Sequence, residues 1–306
     1  MKADDILAQK EIIDEDQIII SNSEEERIDW LSENIDPWTK VEQYWQETSV
    51  ARRQLFLKNT EFTVHAYFEK FKCLSTQKGK ELLELDFSLL YTNVTPIDYS
   101  EWKRIRDLLM NQFDMHKIKN AEELGLINSL KSGDLSNEKQ DFLLMYLLVH
   151  LLPPKSRGRK RKATSENQEI VNQASSKKSL EERRESFILH VESDAEVEPK
   201  ILELKKRLQI AKETFQPLII AVGRNLTSIE SYHIAVNDQL YELSNCLETV
   251  VVALKIFFSL DCEYPENTQV IWKFLQQVLL NIKEEKVVTV QMKTYFGLIK
   301  ILQDNI

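Results

Sequence analysis

The run FLLMYLLVHLLPP, residues 142–154, sets the hardest condition on how this chain can fold. From Phe142 to Leu152 there are eleven residues, and only His150 interrupts their apolar character. A helix that is hydrophobic all round belongs in a protein interior or a membrane. A membrane span takes about 20 apolar residues, so this run reads as a buried helix. Pro153 and Pro154 end it, because proline lacks the amide hydrogen that a helix interior needs.

What precedes the run is helical in pattern from about residue 24. Trp102, Ile105 and Leu109 stand at i, i+3 and i+7, one face of a helix. In KGKELLELDFSLLY (78–91), Leu82, Leu85 and Leu89 share a face, joined by Leu83 and Leu90. Thr95 before Pro96 reads as an N-cap followed by proline in the first helical position. The expectation for 24–152 is an all-helical domain, a bundle of five to seven helices with its own core. Glycine is scarce, six in 306 residues. That disfavours glycine-rich phosphate loops and fits a helix-dominated chain.

Immediately after the prolines the charge inverts. The chain carries a net charge of −9, yet residues 155–162 hold six Lys/Arg and no acid. The cluster comprises Lys155, Arg157, Gly158, Arg159, Lys160, Arg161 and Lys162. Its density matches a nuclear localisation signal, which implies an import receptor as partner and a nuclear location. Arg157-Gly158-Arg159 also resembles the core of an AT-hook, which lies in the narrow A·T-rich minor groove. Lys160 stands where that motif has proline. Up to six cations would contact DNA or RNA phosphates whatever the base sequence. Residues 153–185, low in apolar content, read as a basic flexible linker.

Beyond the linker the texture is mixed. SFILHV (186–191) reads as a strand, 196–213 as an amphipathic helix, and QPLIIAVG (216–223) as a central strand apolar on both faces. YHIAVNDQLYEL (232–243) alternates on either side of Asn237-Asp238, the pattern of a hairpin. Two apolar helices follow near 245–260 and 267–282. The wide stripe of the second is expected to pack on the sheet. Residues 186–306 are therefore an α+β domain of order β-α-β-β-β-α-α, and the whole chain is α+β with two domains.

The N-terminus is different again: residues 1–36 hold twelve Asp/Glu against three Lys/Arg. Residues 1–23 read as an acidic disordered tail, with no apolar core that would make a signal peptide. Within it, Ile18, Ile19 and Ile20 are flanked by acids and serines. One reading is a short strand that adds to a partner's sheet, as SUMO-interaction motifs do. The other is an apolar patch leading into a helix whose capping box is Ser23 and Glu26.

Chemistry-bearing motifs are few. Three cysteines, Cys73, Cys246 and Cys262, are odd in number and widely spaced. That is the usage of a reducing compartment, not of a disulfide framework. No cysteine or histidine pair has metal-ligand spacing. His150 and His190 read as structural residues and His233 as a surface one. The nearest thing to a phosphate loop is AVGRNLTSIE (221–230), with a single glycine. A nuclease of the RNase-H type opens with three antiparallel strands, whereas here one strand precedes the helix. The sequence therefore points to no catalytic residue, no metal and no cofactor.

The stretches ERRESFILHV (182–191), FQPLIIAVG (215–223) and ALKIFFSLDCEYP (253–265), with the basic linker upstream and GKELLELDF (79–87), resemble a family of uncharacterised proteins found in many copies in insect and fish genomes. The resemblance covers about half the chain. It implies an expanded or mobile-element-derived gene and brings no activity with it. The resulting expectation is a nuclear, non-enzymatic binding protein whose linker touches nucleic acid. The alternative is a protein–protein adaptor whose basic segment serves import only.

Overall fold

The computed structural model describes residues 21–58, 63–153, 179–283 and 293–305. Up to Pro153 it contains α1 (Asn22–Glu33), α2 (Trp38–Glu47), α3 (Ser49–Lys58), α4 (Val64–Lys70), a 3₁₀ turn (Lys72–Ser75), α5 (Gly79–Leu90), α6 (Tyr99–Met110), a second 3₁₀ turn (Met115–Lys117), α7 (Ala121–Ser132) and α8 (Asn137–Leu151). From Ser179 on come α9 (Leu180–Glu185), β1 (Ile188–Val191), α10 (Asp194–Ala211), β2 (Leu218–Val222), β3 (Ser231–Val236), β4 (Gln239–Leu243), α11 (Cys246–Ser259), α12 (Gln269–Leu280) and α13 (Lys293–Asn305). The class is mixed helix and sheet. The expected β-α-β-β-β-α-α order is present, with α9 added before it and α13 after it.

The four strands form one sheet in the order β1-β2-β3-β4. β1 and β2 are parallel, joined by α10, and the other pairs are antiparallel. Alternation along each strand gives the sheet two apolar faces. Ile188, Ile219, Ile234 and Tyr241 stand in one row across it, by register, and face the main core. Leu189, Val191, Ile220 and Val222 face the other way, where Val197 and Leu204 of α10 cover them. The turn between β3 and β4 is Asn237-Asp238, and Asn237 takes φ 54°, a left-handed conformation asparagine tolerates.

The core on the first face runs through both halves of the chain. One buried cluster joins Trp45, Leu82, Phe87 and Trp102 to Ile219, Tyr241, Leu254 and Trp272. The expectation of a helical bundle with a core of its own is corrected by this packing. The reason lies in α8 and α11. From Phe142 to Leu152, α8 and its cap are buried at every position except Tyr146 and His150, so no single layer of helices can cover it. Phe142 meets Tyr232 of β3, with ring centroids 6.0 Å apart. α11 packs on the sheet along one side and on α5 and α8 along the others. Ser259 of α11 donates a hydrogen bond to Leu83 O of α5 at 2.6 Å.

Several local expectations shift by a turn or a face. The capping box of α1 is Ser21 with Glu24: the Glu24 amide donates to Ser21 Oγ at 3.3 Å, and the Ser21 amide to Glu24 Oε2 at 2.9 Å. It is not Ser23 with Glu26. α6 is capped by Asp98, which accepts from the Glu101 amide at 2.9 Å. Thr95 and Pro96 stay outside because Ile97 N donates to Leu279 O of α12 at 3.0 Å and holds that stretch on the core. In α5 the buried face is Leu82, Leu83, Asp86 and Phe87 rather than Leu82, Leu85 and Leu89. A buried arginine turns the helix this way. Arg52 spends all five of its N–H donors on Asp86 (2.8 and 3.1 Å), Tyr67 OH, Trp45 O and Thr48 Oγ1. Its guanidinium lies 3.4 Å from the Trp45 ring centroid. Finally, α12 packs on α11 and α13, and it is α11 that lies against the core face of the sheet. Up to Pro153 there are eight α-helices among the described residues, not five to seven.

Candidate site at the roots of the basic segment

Lys155, Arg157, Gly158, Arg159, Lys160, Arg161 and Lys162, with the strand candidates Ile18, Ile19 and Ile20, lie outside the described residues. The structure does describe the residues that flank the basic segment on either side. α8 ends at Leu151, and the Leu152 amide closes its last turn on Leu148 O. The chain resumes at Ser179, the cap of α9, with a capping box to Glu182. Composition assigns 179–185 to the linker, but here these residues form a helix packed on α8. Six residues make too short a helix to stand alone in water. α9 is held by its arginines: Arg183 Nη2 donates to Val149 O of α8 at 3.0 Å.

Arg184 goes deeper. It is buried, and its Nη2 donates to Glu123 Oε1 of α7. Its guanidinium carbon sits 4.4 Å from the Tyr146 ring centroid. Glu123 Oε2 faces the imidazole of His150, with Nε2 at 3.2 Å. The two atoms are close enough to attract but out of hydrogen-bond alignment, and Nε2 is buried with no aligned hydrogen-bond partner among the described residues. Three helices thus meet on one carboxylate. Asn120 fixes the start of α7 by accepting from the amides of Glu122 and Glu123 at 2.8 and 3.3 Å.

A cleft of about 620 Å³ opens over this cluster. Its polar wall is Glu123, Tyr146, His150 and Arg184, and its apolar wall includes Ile118 and Leu226. Burial holds His150 below the ordinary histidine value; Glu123 opposes this, and Arg184 and Arg183 reinforce it. Burial also lowers Arg183, with Arg184 adding to the effect. Burial raises Tyr146. These groups can hold charge in a fixed place, and none of them is an activated nucleophile.

The remaining candidates are structural in their contacts. His190 Nε2 is 2.8 Å from Gly223 O. His233 is half-buried rather than on the surface, and its Nε2 is 3.0 Å from Ser231 Oγ. Burial raises the thiols of Cys73, to about 11, and Cys262, to about 12. Cys246 is raised as well. Thiols held that high carry little thiolate. Gly223 serves close packing, since a Cβ there would stand 2.2 Å from Ser228 O. Among the described residues no cluster of His, Cys, Asp or Glu could hold a metal ion, and no helix is long and apolar enough to cross a membrane.

Sequence reasoning did not find the Glu123–His150–Arg184 cluster. Its members are 27 to 61 positions apart and come from three elements, so no spacing announces them. The one available signal was His150 itself, the polar interruption of an otherwise apolar run. Comparison with models of protein families, with curated proteins and with solved structures finds no match to this chain.

Proposed function

We propose that the protein is a nuclear, non-enzymatic binding protein, and that its basic segment both directs import and makes weak contact with nucleic acid. The observation that carries this reading is the cluster at 155–162, six cations without one acid in a chain of net charge −9. The packing supports it in one respect. Because α8 and α9 are fastened together, the segment starts and ends on one folded body and not on two separate ones. Its cations are tethered to an acidic body, so contact with phosphates depends on the segment itself.

The affinity expected for the intact protein on duplex DNA is in the non-specific range of about 10⁻⁴ to 10⁻⁶ M at physiological salt. Binding should weaken steeply as salt rises, because neutralised phosphates release counterions. The test is binding anisotropy on A·T-rich and G·C-rich duplexes across a salt series. Replacing the six Lys/Arg of 155–162 by alanine should remove binding. If the Arg157-Gly158-Arg159 core reads groove width, A·T-rich duplexes bind more tightly and Gly158→Val removes the difference. No binding by the intact protein at low salt would discard the nucleic-acid part of the reading.

A further inference from the structure

We propose that Glu123, His150 and Arg184 form an acid-opened lock that fastens α9 to α7 and α8. The lock works whatever the basic segment binds, and it rests on geometry at the junction of the three helices. Arg184 Nη2 holds one oxygen of Glu123, and the imidazole of His150 faces the other at 3.2 Å without alignment. From α9, Arg183 reaches Val149 O on the turn that carries His150. From α8 itself comes Tyr146, whose ring lies under Arg184. The nearby charges on the cleft's outer rim, Lys117, Lys119, Glu122 and Glu181, are exposed, so solvent screens them. Around the imidazole stand one carboxylate and two guanidinium groups, Arg184 buried and Arg183 half-buried.

Protonating His150 adds a third cation to that balance. The carboxylate oxygen it faces is misaligned, so the imidazolium gains less than a full charge-assisted hydrogen bond. Burial penalises its charge, and the two arginines repel it. In the opened state the ring is in water and titrates near its ordinary value of about 6.5. A base held lower in the closed state than in the open one favours opening as the pH falls below its open-state value. The lock is therefore closed at and above neutral pH and weakens as acid protonates His150. α9 has only six residues, too few to hold together alone; it also packs on β1 and pairs Glu185 with Arg207 of α10, so losing its hold on α7 and α8 loosens it. That frees the C-terminal root of the segment carrying the basic cluster.

The experiment is hydrogen exchange of the α9 amides in the full chain at about pH 7.5 and about pH 5.5, corrected for the intrinsic exchange rate. Protection of α9 should fall in the native protein, by up to about tenfold, the limit that one histidine of open-state value about 6.5 sets over this interval, and measurably less in His150→Gln, which cannot titrate. The other four histidines remain in that variant, so they serve as an internal control. Equal falls in both proteins would overturn the proposal. A second measurement needs no variant: the His150 ring proton, followed by NMR, should titrate below the ordinary histidine value, and the α9 amide signals should move with the same midpoint. Titration of His150 at or above the ordinary value would overturn it as well.

Discussion

The side-chain amide of Gln77 grips the backbone around Glu242 as a neighbouring strand would. Gln77 Nε2 donates to Leu240 O at 2.9 Å, and its Oε1 accepts from Glu242 N at 3.1 Å. Lys80 Nζ donates to Glu242 O at 2.5 Å. In the β3–β4 register, Val236 pairs with Gln239 next to the turn. That leaves the peptide groups of Leu240 and Glu242 pointing away from the sheet. Gln77, from the turn before α5, and Lys80, from its first turn, thus occupy the free edge, the part of a sheet most prone to recruit another strand.

Gln77→Ala should lower stability by about 1 kcal/mol, the net worth of one or two exposed hydrogen bonds. Combined with Lys80→Ala it should also promote self-association. Denaturant midpoints and light scattering check both effects. Unchanged midpoints and an unchanged mass would mean that the edge needs no guard.

Arg52 and Asp86 form a buried bidentate pair, with side-chain exposures of 1% and 11%. Removing one member leaves the other charged and unpaired, which costs about 3–5 kcal/mol. Arg52→Met and Asp86→Leu should each be strongly destabilising, and the double variant less so than the two effects summed. A double-mutant cycle by chemical denaturation measures this. Strict additivity would show that the two side chains act independently.

Glycines separate close packing from mere permissiveness. A Cβ at Gly79 would stand 2.4 Å from Leu74 O, a backbone atom that cannot swing aside, whereas Gly125 has nothing within 4 Å. Gly79→Ala should cost about 1–3 kcal/mol. Gly125→Ala, inside α7, should raise stability by about 0.5–1 kcal/mol. Thermal unfolding of the two variants should move in opposite directions, and shifts of the same sign would contradict the packing.

A reporter carrying residues 153–165 should accumulate in nuclei, because its six clustered cations suit an import receptor. Replacing Lys160, Arg161 and Lys162 by alanine in the full protein should abolish nuclear accumulation. Fluorescence imaging decides, and undiminished accumulation of the triple variant would place the signal elsewhere.

The elements of the second half were legible in the sequence because β1 and β2 are short apolar runs, β3 and β4 alternate about a turn, and α10 to α12 carry a period of 3.6. Asn237-Asp238 even marked the turn. Faces and caps were less legible. Leu85 and Leu89 fit the helical stripe of α5 as well as Phe87 does, and only Arg52, 34 positions from Asp86, decides which face is buried. Asp98 displaced Thr95 as a cap because a tertiary bond from Ile97 to Leu279 holds the chain short of the helix. α9 was hidden by its composition, since Glu-Glu-Arg-Arg-Glu has no apolar period and reads as linker. Its helix exists through Glu123 and Val149, which lie on other elements. The same apolar α8 that demanded cover on every side gave no indication that the far half of the chain would supply part of it.

One core spans both sides of the basic segment, and cutting that segment probes it directly. A site for a specific protease, inserted between Ala174 and Ser175, allows the chain to be severed without touching α8 or α9. After cleavage the two fragments should elute together in gel filtration and unfold in one transition, because Trp45, Leu82 and Phe142 share a core with Tyr232, Tyr241 and Leu254. Two fragments that separate without denaturant, each melting in its own cooperative transition, would contradict it.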